Sequence, residues 1–319
     1  MSSVISVNSL TKQFGNARVV SNLNFEVVPG VVTGFLGPNG SGKSTTMRMI
    51  MGLDTPTSGT ALVNGKRYAE LNWPLREVGA LLDAKAFHPA RTAYDHLRCL
   101  AYTNGIPLAR VEEVISIVGL TEVANKRAGK FSLGMGQRLG MAGALLGDPG
   151  VLLFDEPVNG LDPEGIRWVR NLLRGLAAEG RAVFVSSHLI SEMALTADRL
   201  VVIGRGALIA DTTVRDFTAL NGGDAVRVVT PHVERFVAAV RRAGGEVDLV
   251  PDESVAVRGM TSAAVGELIA RECLVVHELT PVRASLEDAF MELTRDAVEY
   301  RSAGSTQGAL VGSGREGEP

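Results

Sequence analysis

The stretch GPNGSGKST, residues 37–45, decides the fold of this chain. It matches the pattern G-x-x-x-x-G-K-[ST], and it lies between the apolar run VVTGFLG and the helix-like run GKSTTMRMIMGL. A glycine-rich loop in this position wraps backbone N–H groups around phosphates, and the following helix N-terminus adds positive charge. A glycine-rich turn with an accidental lysine is the alternative interpretation, but the flanking strand and helix argue against it.

The loop therefore predicts a site for a nucleoside triphosphate with Mg²⁺. Lys43 is expected to reach the β- and γ-phosphates, and the Ser44 hydroxyl is expected to ligate Mg²⁺. The predicted phosphate-binding residues are Gly37, Pro38, Asn39, Gly40, Ser41, Gly42, Lys43, Ser44 and Thr45.

A second acidic element, VLLFDEP at residues 151–157, follows the loop. Its four apolar residues predict a buried strand that ends in Asp155 and Glu156, at the edge where ligands bind in open α/β sheets. Asp155 suits the Mg²⁺ shell, and Glu156 suits a general base that polarises the attacking water. The acidic pair is a weak signal alone and a strong one together with the glycine-rich loop.

The rest of the chain predicts an α/β fold followed by a smaller unit. Residues 84–146 are mostly helical in pattern, and strand-like and helical runs then alternate, which is typical of a parallel sheet wound with helices. From Gly222 onward, the pattern indicates a small α+β layer of split-βαβ type. We predict an ATPase-type domain at 1–221, with a mixed sheet wound with helices and a helical subdomain at about 84–146. An accessory domain at 222–300 and a Gly/Ser-rich disordered tail at 301–319 are predicted to follow.

Composition narrows the function classes. A net charge of −3 argues against nucleic-acid binding, which usually requires a basic surface. Cys99 and Cys273 lack metal-ligand spacing and indicate a reduced, cytosolic chain. The N-terminus does not have the pattern of a signal peptide, and no apolar run approaches the length of a membrane span. Any work at a membrane is therefore expected to involve a partner.

The order of motifs resembles the ATP-binding subunit of an ABC transporter over about residues 4–220. The stretch FSLGMGQRLGMAGALLGDP lies between the glycine-rich loop and VLLFDEP, and it contains a Ser-x-Gly turn that opens a helix. After VLLFDEP come the motifs NGLD and VSSH. The resemblance implies ATP and Mg²⁺ as cofactors. It also implies two ATPase subunits that dimerise head to tail around two ATP molecules.

The same resemblance assigns further residues. Ser132 and Gly134 would cap the γ-phosphate of the ATP held by the opposite subunit, and Ser132 also suits a helix N-cap. Asp162 would couple the two sites, and His188 would contact the γ-phosphate and the water. Phe14 would stack on adenine.

Two departures from the family pattern stand out. The usual Leu-Ser-Gly-Gly-Gln signature is replaced by FSLGM at 131–135. The family's usual Gln, which ligates Mg²⁺ and reports nucleotide state, is replaced by Asp83. Asp83 is thus a further candidate Mg²⁺ ligand, with a solvated loop carboxylate as the alternative. Slow hydrolysis is expected. The motifs, together with VHELTPVRASLEDAFMELT near the C-terminus, resemble the subgroup of drug and antibiotic exporters.

The predicted function is an ATPase that powers a separate membrane-spanning permease and exports drugs or antibiotics. The chain is expected at the cytoplasmic face of the membrane, as a homodimer or paired with a second ATPase subunit. The segment AKAFHPARTAYDHL after Asp83, with Phe87 and Arg91, is expected to line the groove for the permease.

Several alternatives remain open from the sequence. One is a soluble ABC-type ATPase acting on the ribosome or on DNA, although no coiled-coil heptads and only one phosphate-binding loop are present. The others are an exporter of lipid or polysaccharide, and a binding module with inactive sites. No nucleic acid is expected as a partner.

Overall fold

The computed structural model describes residues 4–222, 225–250, 254–282, 286, 287 and 290. Its strands are β1 (Ile5–Phe14), β2 (Ala17–Val27), β3 (Val32–Leu36), β4 (Ser58–Val63), β5 (Val78–Leu81), β6 (Val151–Phe154), β7 (Ala182–Ser187), β8 (Arg199–Gly204), β9 (Ala207–Thr213), β10 (Ala225–Val229), β11 (Glu246–Val250), β12 (Ser254–Arg258) and β13 (Glu278–Val282). Its α-helices are α1 (Lys43–Ile50), α2 (Pro74–Glu77), α3 (Ala93–Thr103), α4 (Leu108–Ile117), α5 (Leu133–Leu145), α6 (Pro163–Ala178), α7 (Ile190–Thr196), α8 (Val214–Gly222), α9 (Val233–Arg242) and α10 (Ser262–Arg271).

The central sheet has the strand order β5-β6-β7-β3-β8-β9. The first five strands are parallel, and β9 pairs antiparallel with β8. Every residue of β3, β6 and β7 is buried, as expected for parallel strands covered on both faces. The carboxyl ends of these strands meet at one edge, so the segments that follow β3, β6 and β7 lie next to each other.

A second, antiparallel sheet of order β2-β1-β4 packs against the central sheet. Three aromatic side chains join the two layers. The ring centroid of Phe25 lies 5.6 Å from that of Phe35 and 5.5 Å from that of Phe184, and the latter two are 5.0 Å apart. Such offset and tilted pairs add to the free energy of burial. This packing fixes β2 beside the loop that follows β3.

The helices α3, α4 and α5 occupy the region predicted to be helical. Helix α5 lies against β5, where Gly79 allows the approach, since a Cβ at this position would be 1.9 Å from the Ala144 carbonyl oxygen. The buried residues of α5, which include Leu139 and Met141, join the larger hydrophobic core. No helix in the described part of the chain is both long enough and apolar enough to cross a membrane.

The C-terminal sheet is fully antiparallel, with the order β11-β12-β10-β13. Alternate valines of β10 and β12 share a core with Phe236 of α9 and Leu268 of α10. The succession of β10, α9, β11, β12, α10 and β13 is the expected split-βαβ pattern. The α/β fold with a mixed sheet, followed by a small α+β unit, is therefore confirmed.

One predicted strand was displaced. The sequence run LVVHELT, residues 274–280, predicts a strand, but β13 begins at Glu278. The reason is that the Leu274 N–H donates to the Ile269 carbonyl and closes the end of α10. That N–H is therefore used at the helix end and not in the sheet.

The run SLEDAFMELTRDA also predicts a helix, but most of it lies outside the described residues, as does all of the predicted disordered tail at 301–319. Leu286 and Phe290, which belong to the described residues of this run, are buried in the same hydrophobic cluster as Phe217 of the first unit, not in the cluster of the C-terminal sheet. The boundary of the accessory domain at 222–300 stays a prediction, because these two side chains belong to the core of the preceding unit.

Candidate functional site

The loop between β3 and α1 has the conformation that phosphate binding requires. Gly40 and Gly42 adopt φ values of 80° and 102°, which are readily accessible only to glycine. A Cβ at Gly42 would also lie 2.8 Å from the Val19 carbonyl oxygen on β2. Because glycine is the N-cap of α1, no side chain occupies the first N–H groups of the helix. These groups are available to an anion.

Lys43 is buried at the base of this loop, with 6% of its side chain exposed. Its ammonium donates to the carbonyl oxygens of Gly37 and Pro38, at 2.6 and 3.2 Å. Burial lowers the pKa of Lys43, and the negative charges of Glu156 and Asp155 act in the opposite direction. The side chain is therefore held in place by the loop itself and lies beside two carboxylates.

The acidic pair follows β6 at the same edge of the sheet. The Lys43 ammonium lies 3.7 Å from Glu156 Oε1, and His188 Nδ1 lies 2.8 Å from Glu156 Oε2. His188 follows β7, the neighbour of β6. Glu156 has φ 50°, a conformation that costs a non-glycine residue free energy and persists only where its surroundings enforce it. The fold thus brings a cation, a carboxylate and an imidazole together.

Ser186, near the end of β7, links the Asp155 carboxylate to the Glu156 backbone, and the sequence did not predict this role. Its buried hydroxyl donates to Asp155 Oδ1 and accepts the Glu156 N–H at 2.9 Å. The only local signal was the first serine in VSSH, which gives no indication of a contact across 30 residues of chain.

Lys43, Glu156 and His188 line a cavity of about 270 Å³, whereas Asp155 and Ser186 are not among its lining residues. Most of the predicted phosphate-binding loop lines it, together with Glu156 and His188. Val19 and Asn159, which the sequence analysis did not single out, also belong to the lining. The lining residues are Val19, Asn39, Gly40, Gly42, Lys43, Ser44, Thr45, Glu156, Asn159 and His188.

The residues present fit a phosphate group with Mg²⁺. The cavity offers the Lys43 ammonium and the uncapped α1 amides. In the same loop, but outside the cavity lining, the buried Ser41 Oγ has no hydrogen-bond partner in the structure. Ser44 and Asp155 supply the oxygen ligands that Mg²⁺ prefers. No group of three or more His, Cys, Asp or Glu side chains in the described residues could hold a metal alone. Mg²⁺ would thus depend on the phosphates for further ligands, as is usual for this ion.

Phe14 and Asp83 lie in exposed positions. Phe14 ends β1 at the hairpin with β2 and is 50% exposed, with the Lys12 ammonium 4.7 Å from its ring centroid. The Asp83 carboxylate accepts the Lys85 N–H at 2.8 Å, within its own turn. The structure therefore gives Asp83 a local structural role, and the predicted roles of both residues towards ATP and Mg²⁺ stay predictions.

The predicted signature turn and the NGLD loop pack against each other. A Cβ at Gly160 would lie 2.2 Å from Leu133 Cδ2, and a Cβ at Gly134 would lie 3.1 Å from Leu161 Cδ2. Gly160 has φ 71°, so a glycine is favoured there for two reasons.

Ser132 and Asp162 both cap helices. Ser132 Oγ accepts the Met135 N–H at 3.3 Å at the start of α5, which confirms the predicted N-cap. Asp162 Oδ1 accepts the Gly165 N–H at 2.8 Å at the start of α6. Their assignment to the ATP of an opposite subunit stays a prediction.

Comparison with known proteins gives consistent matches. A family model described as "ABC transporter" matches residues 20–159, and one described as a domain of unknown function (DUF8746) matches residues 224–287. An uncharacterized ABC transporter ATP-binding protein of Bacillus subtilis (strain 168), YhcH, is 35% identical over 94% of this chain and 98% of that protein.

A relative with a stated substrate is also similar. The bacitracin transport ATP-binding protein BcrA of Bacillus licheniformis is 42% identical over 66% of this chain and 70% of that protein. Among solved structures, an ATP-binding subunit of an ABC transporter is 27% identical, with a TM-score of 0.62, over 69% of this chain and 93% of that one.

Proposed function

Because this chain belongs to the family of ABC transporter ATP-binding proteins, we propose that it powers the export of antibiotics through a separate membrane-spanning permease. The observation that carries the ATPase part is the convergence of Lys43, Glu156 and His188 on one cavity. The export part is supported by relatives such as the bacitracin transport protein. The path through the membrane is assigned in this proposal to the partner.

The cavity can carry out hydrolysis as follows. The α1 amides and Lys43 hold the phosphates and balance their negative charge. Ser44 and Asp155 would hold Mg²⁺, which would supply positive charge to balance that of the phosphates. Glu156 accepts a proton from the attacking water, and the imidazole of His188, 2.8 Å away, orients its carboxylate.

We further propose that two ATPase subunits close on ATP. In the described chain, Ser132 and the start of α5 present a helix N-terminus at the surface, where a phosphate of an opposite ATP would find a positive dipole end. The close packing of Leu133 on Gly160 holds the signature turn and the NGLD loop together as one surface. Whether the second subunit is a copy of this chain or another ATPase, the same surface would meet it.

A second cavity, of about 500 Å³, is proposed as the permease groove. It lies between the segment after β5 and the start of α5, next to Ser132, so a helix bound there would sense closure of the ATP site. Its lining residues are Ala84, Lys85, Phe87, Pro89, Ala128, Gly129, Phe131, Ser132, Leu133 and Gly136.

A two-stage experiment tests this proposal. The chain is first purified in mild detergent from its native membranes, as wild type, as Phe87→Asp, and as Tyr102→Asp. Tyr102 is an exposed aromatic residue of α3 outside the groove and serves as the control. We expect wild type and the control to retain a multi-span protein at near-equal stoichiometry, and Phe87→Asp to lose it.

In the second stage, the captured membrane protein is co-expressed with the chain in a bacitracin-sensitive host. Wild type should raise the inhibitory concentration of bacitracin, and Lys43→Ala should not, because it cannot hold the phosphates. Capture of ribosomal or DNA-repair proteins from the soluble fraction would instead favour the soluble-ATPase alternative. A captured permease without any gain in resistance would point to another exported substrate, such as a lipid or polysaccharide.

A further inference from the structure

We propose that Ser186 is a positioning residue for ATP hydrolysis, and that it fixes Asp155 and Glu156 relative to each other. The proposal rests on hydrolysis at the cavity described above. Ser186 is fully buried on β7, and both of its contacts lie on the segment that follows β6. The two strands are paired in parallel register, with Phe154 opposite Val185. The sheet itself thus places the hydroxyl beside the acidic pair.

Two hydrogen bonds fix the orientation of the Ser186 hydroxyl relative to Asp155 and Glu156. A hydroxyl has one proton to donate and lone pairs to accept. Here the proton goes to Asp155 Oδ1, and a lone pair receives the Glu156 N–H at 2.9 Å. The first bond selects which carboxylate oxygen of Asp155 is turned towards the protein. The second holds the Glu156 backbone.

The backbone of Glu156 needs such a restraint. Its φ of 50° lies in the left-handed region, where a non-glycine residue relaxes unless its surroundings prevent it. The carboxylate of this same residue faces Lys43 and His188 in the cavity, where it would act as the base. Loss of the Ser186 hydroxyl would therefore misdirect both the Mg²⁺ ligand and the base, without removing either.

The adjacent serine has a different role and provides a matched control. Ser187 Oγ accepts the Leu189 N–H at 2.9 Å and so shapes the turn that carries His188. A change at Ser187 should act only through His188. The two serines of VSSH thus have different contacts. The Ser186 hydroxyl bonds to the acidic pair, and the Ser187 hydroxyl bonds within the turn that carries His188.

The test compares Ser186→Ala, Ser186→Thr and Ser187→Ala in the purified full chain, alone and combined with His188→Ala. ATP hydrolysis is measured against ATP and Mg²⁺ concentration, and binding of a fluorescent ADP analogue is measured with and without Mg²⁺. We expect Ser186→Ala to lower kcat by about tenfold or more, since misplaced catalytic groups are costly. Its KM for ATP should change less than about twofold, because the phosphate loop is untouched.

The remaining readouts separate positioning from folding. Ser186→Ala should need more Mg²⁺ to enhance ADP-analogue binding, while binding without Mg²⁺ and the unfolding temperature stay near those of wild type. Ser186→Thr should restore kcat and the Mg²⁺ dependence, because threonine keeps the hydroxyl. Ser187→Ala should cause no further loss in the His188→Ala background, whereas Ser186→Ala should.

Three outcomes would overturn the proposal: an unchanged kcat and Mg²⁺ dependence in Ser186→Ala, an equal loss in a folded Ser186→Thr, or no additional effect of Ser186→Ala once His188 is gone. The Mg²⁺ dependence of ADP-analogue binding reports on Asp155 even if the chain transports nothing. Failure of antibiotic export would therefore leave this result interpretable.

Discussion

The cavity around Lys43 and the turn around Ser132 are both predicted to bind ATP, yet their polar side chains are engaged differently. In the cavity, charged groups that are more than 100 residues apart in sequence meet, with Lys43 3.7 Å from Glu156. At the turn, Ser132 and Asp162 each bond to an N–H three residues further along. The first arrangement is long-range and the second is local.

This difference separates what one chain accomplishes from what requires two. Burial of the Lys43 charge costs folding free energy, and such buried charges are typical of functional sites. Helix capping by Ser132 and Asp162, in contrast, has a sufficient structural explanation, about 1 kcal/mol of helix stability for each cap. The cavity is therefore assembled within one subunit, whereas the turn acquires its proposed role only when it faces another.

The largest expected effect tests the cavity. Glu156→Gln keeps the shape of the side chain and removes its basicity, so the hydrolysis rate should fall by about 10²-fold or more. ATP should still bind, and the unreactive complex should accumulate as a dimer that light scattering detects after size-exclusion chromatography.

Glu164→Gln provides the matched control, because Glu164 is an exposed carboxylate in the first turn of α6. This variant should hydrolyse ATP at the wild-type rate. If Glu156→Gln also turned over ATP normally, the assignment of the base would be wrong.

Sequence and structure agree on the cavity for physical reasons. The glycine-rich loop and VLLFDEP are local patterns at strand ends, and parallel strands bring such ends to one edge. Ser186 was not predictable in this way, since its role depends on the register between β6 and β7. The lining by Val19 and Asn159 likewise depends on packing between distant segments.

Elsewhere the sequence was less informative. The β8–β9 hairpin places an antiparallel strand at the sheet edge. The residues of β9 are only partly buried, so their apolar pattern is weak. The burial of Leu286 and Phe290 in the first core is a tertiary contact that no local periodicity encodes.

The next largest expected effect concerns the turn around Ser132, and a complementation experiment that measures the hydrolysis rate tests it. Ser132→Arg should block the turn, and Lys43→Ala should disable the cavity, so each homodimer should be nearly inactive. When the two variants are mixed, a mixed dimer contains one intact Lys43 facing one intact Ser132. Random pairing should then restore about a quarter of the wild-type hydrolysis rate, because half of the dimers carry one working site of two.

Restoration would require that the turn act on the ATP of the opposite chain. If the mixture stayed inactive while co-purification through a tag carried by only one variant showed that mixed dimers form, the turn would act within its own chain or not at all.

The smallest expected effect distinguishes capping from nucleotide binding. Ser132→Ala and Thr261→Ala each remove an N-cap hydroxyl, since Thr261 accepts the Ala264 N–H at 3.2 Å at the start of α10. Each should destabilise its helix by about 1 kcal/mol, which urea unfolding measures. Only Ser132→Ala should also slow hydrolysis, by roughly tenfold, because a lost hydrogen bond to a charged phosphate costs more than a lost cap alone. Equal hydrolysis rates in the two variants would mean that Ser132 only caps its helix. The cavity would then take part in hydrolysis and the turn would not, so the two regions would differ in function as well as in geometry.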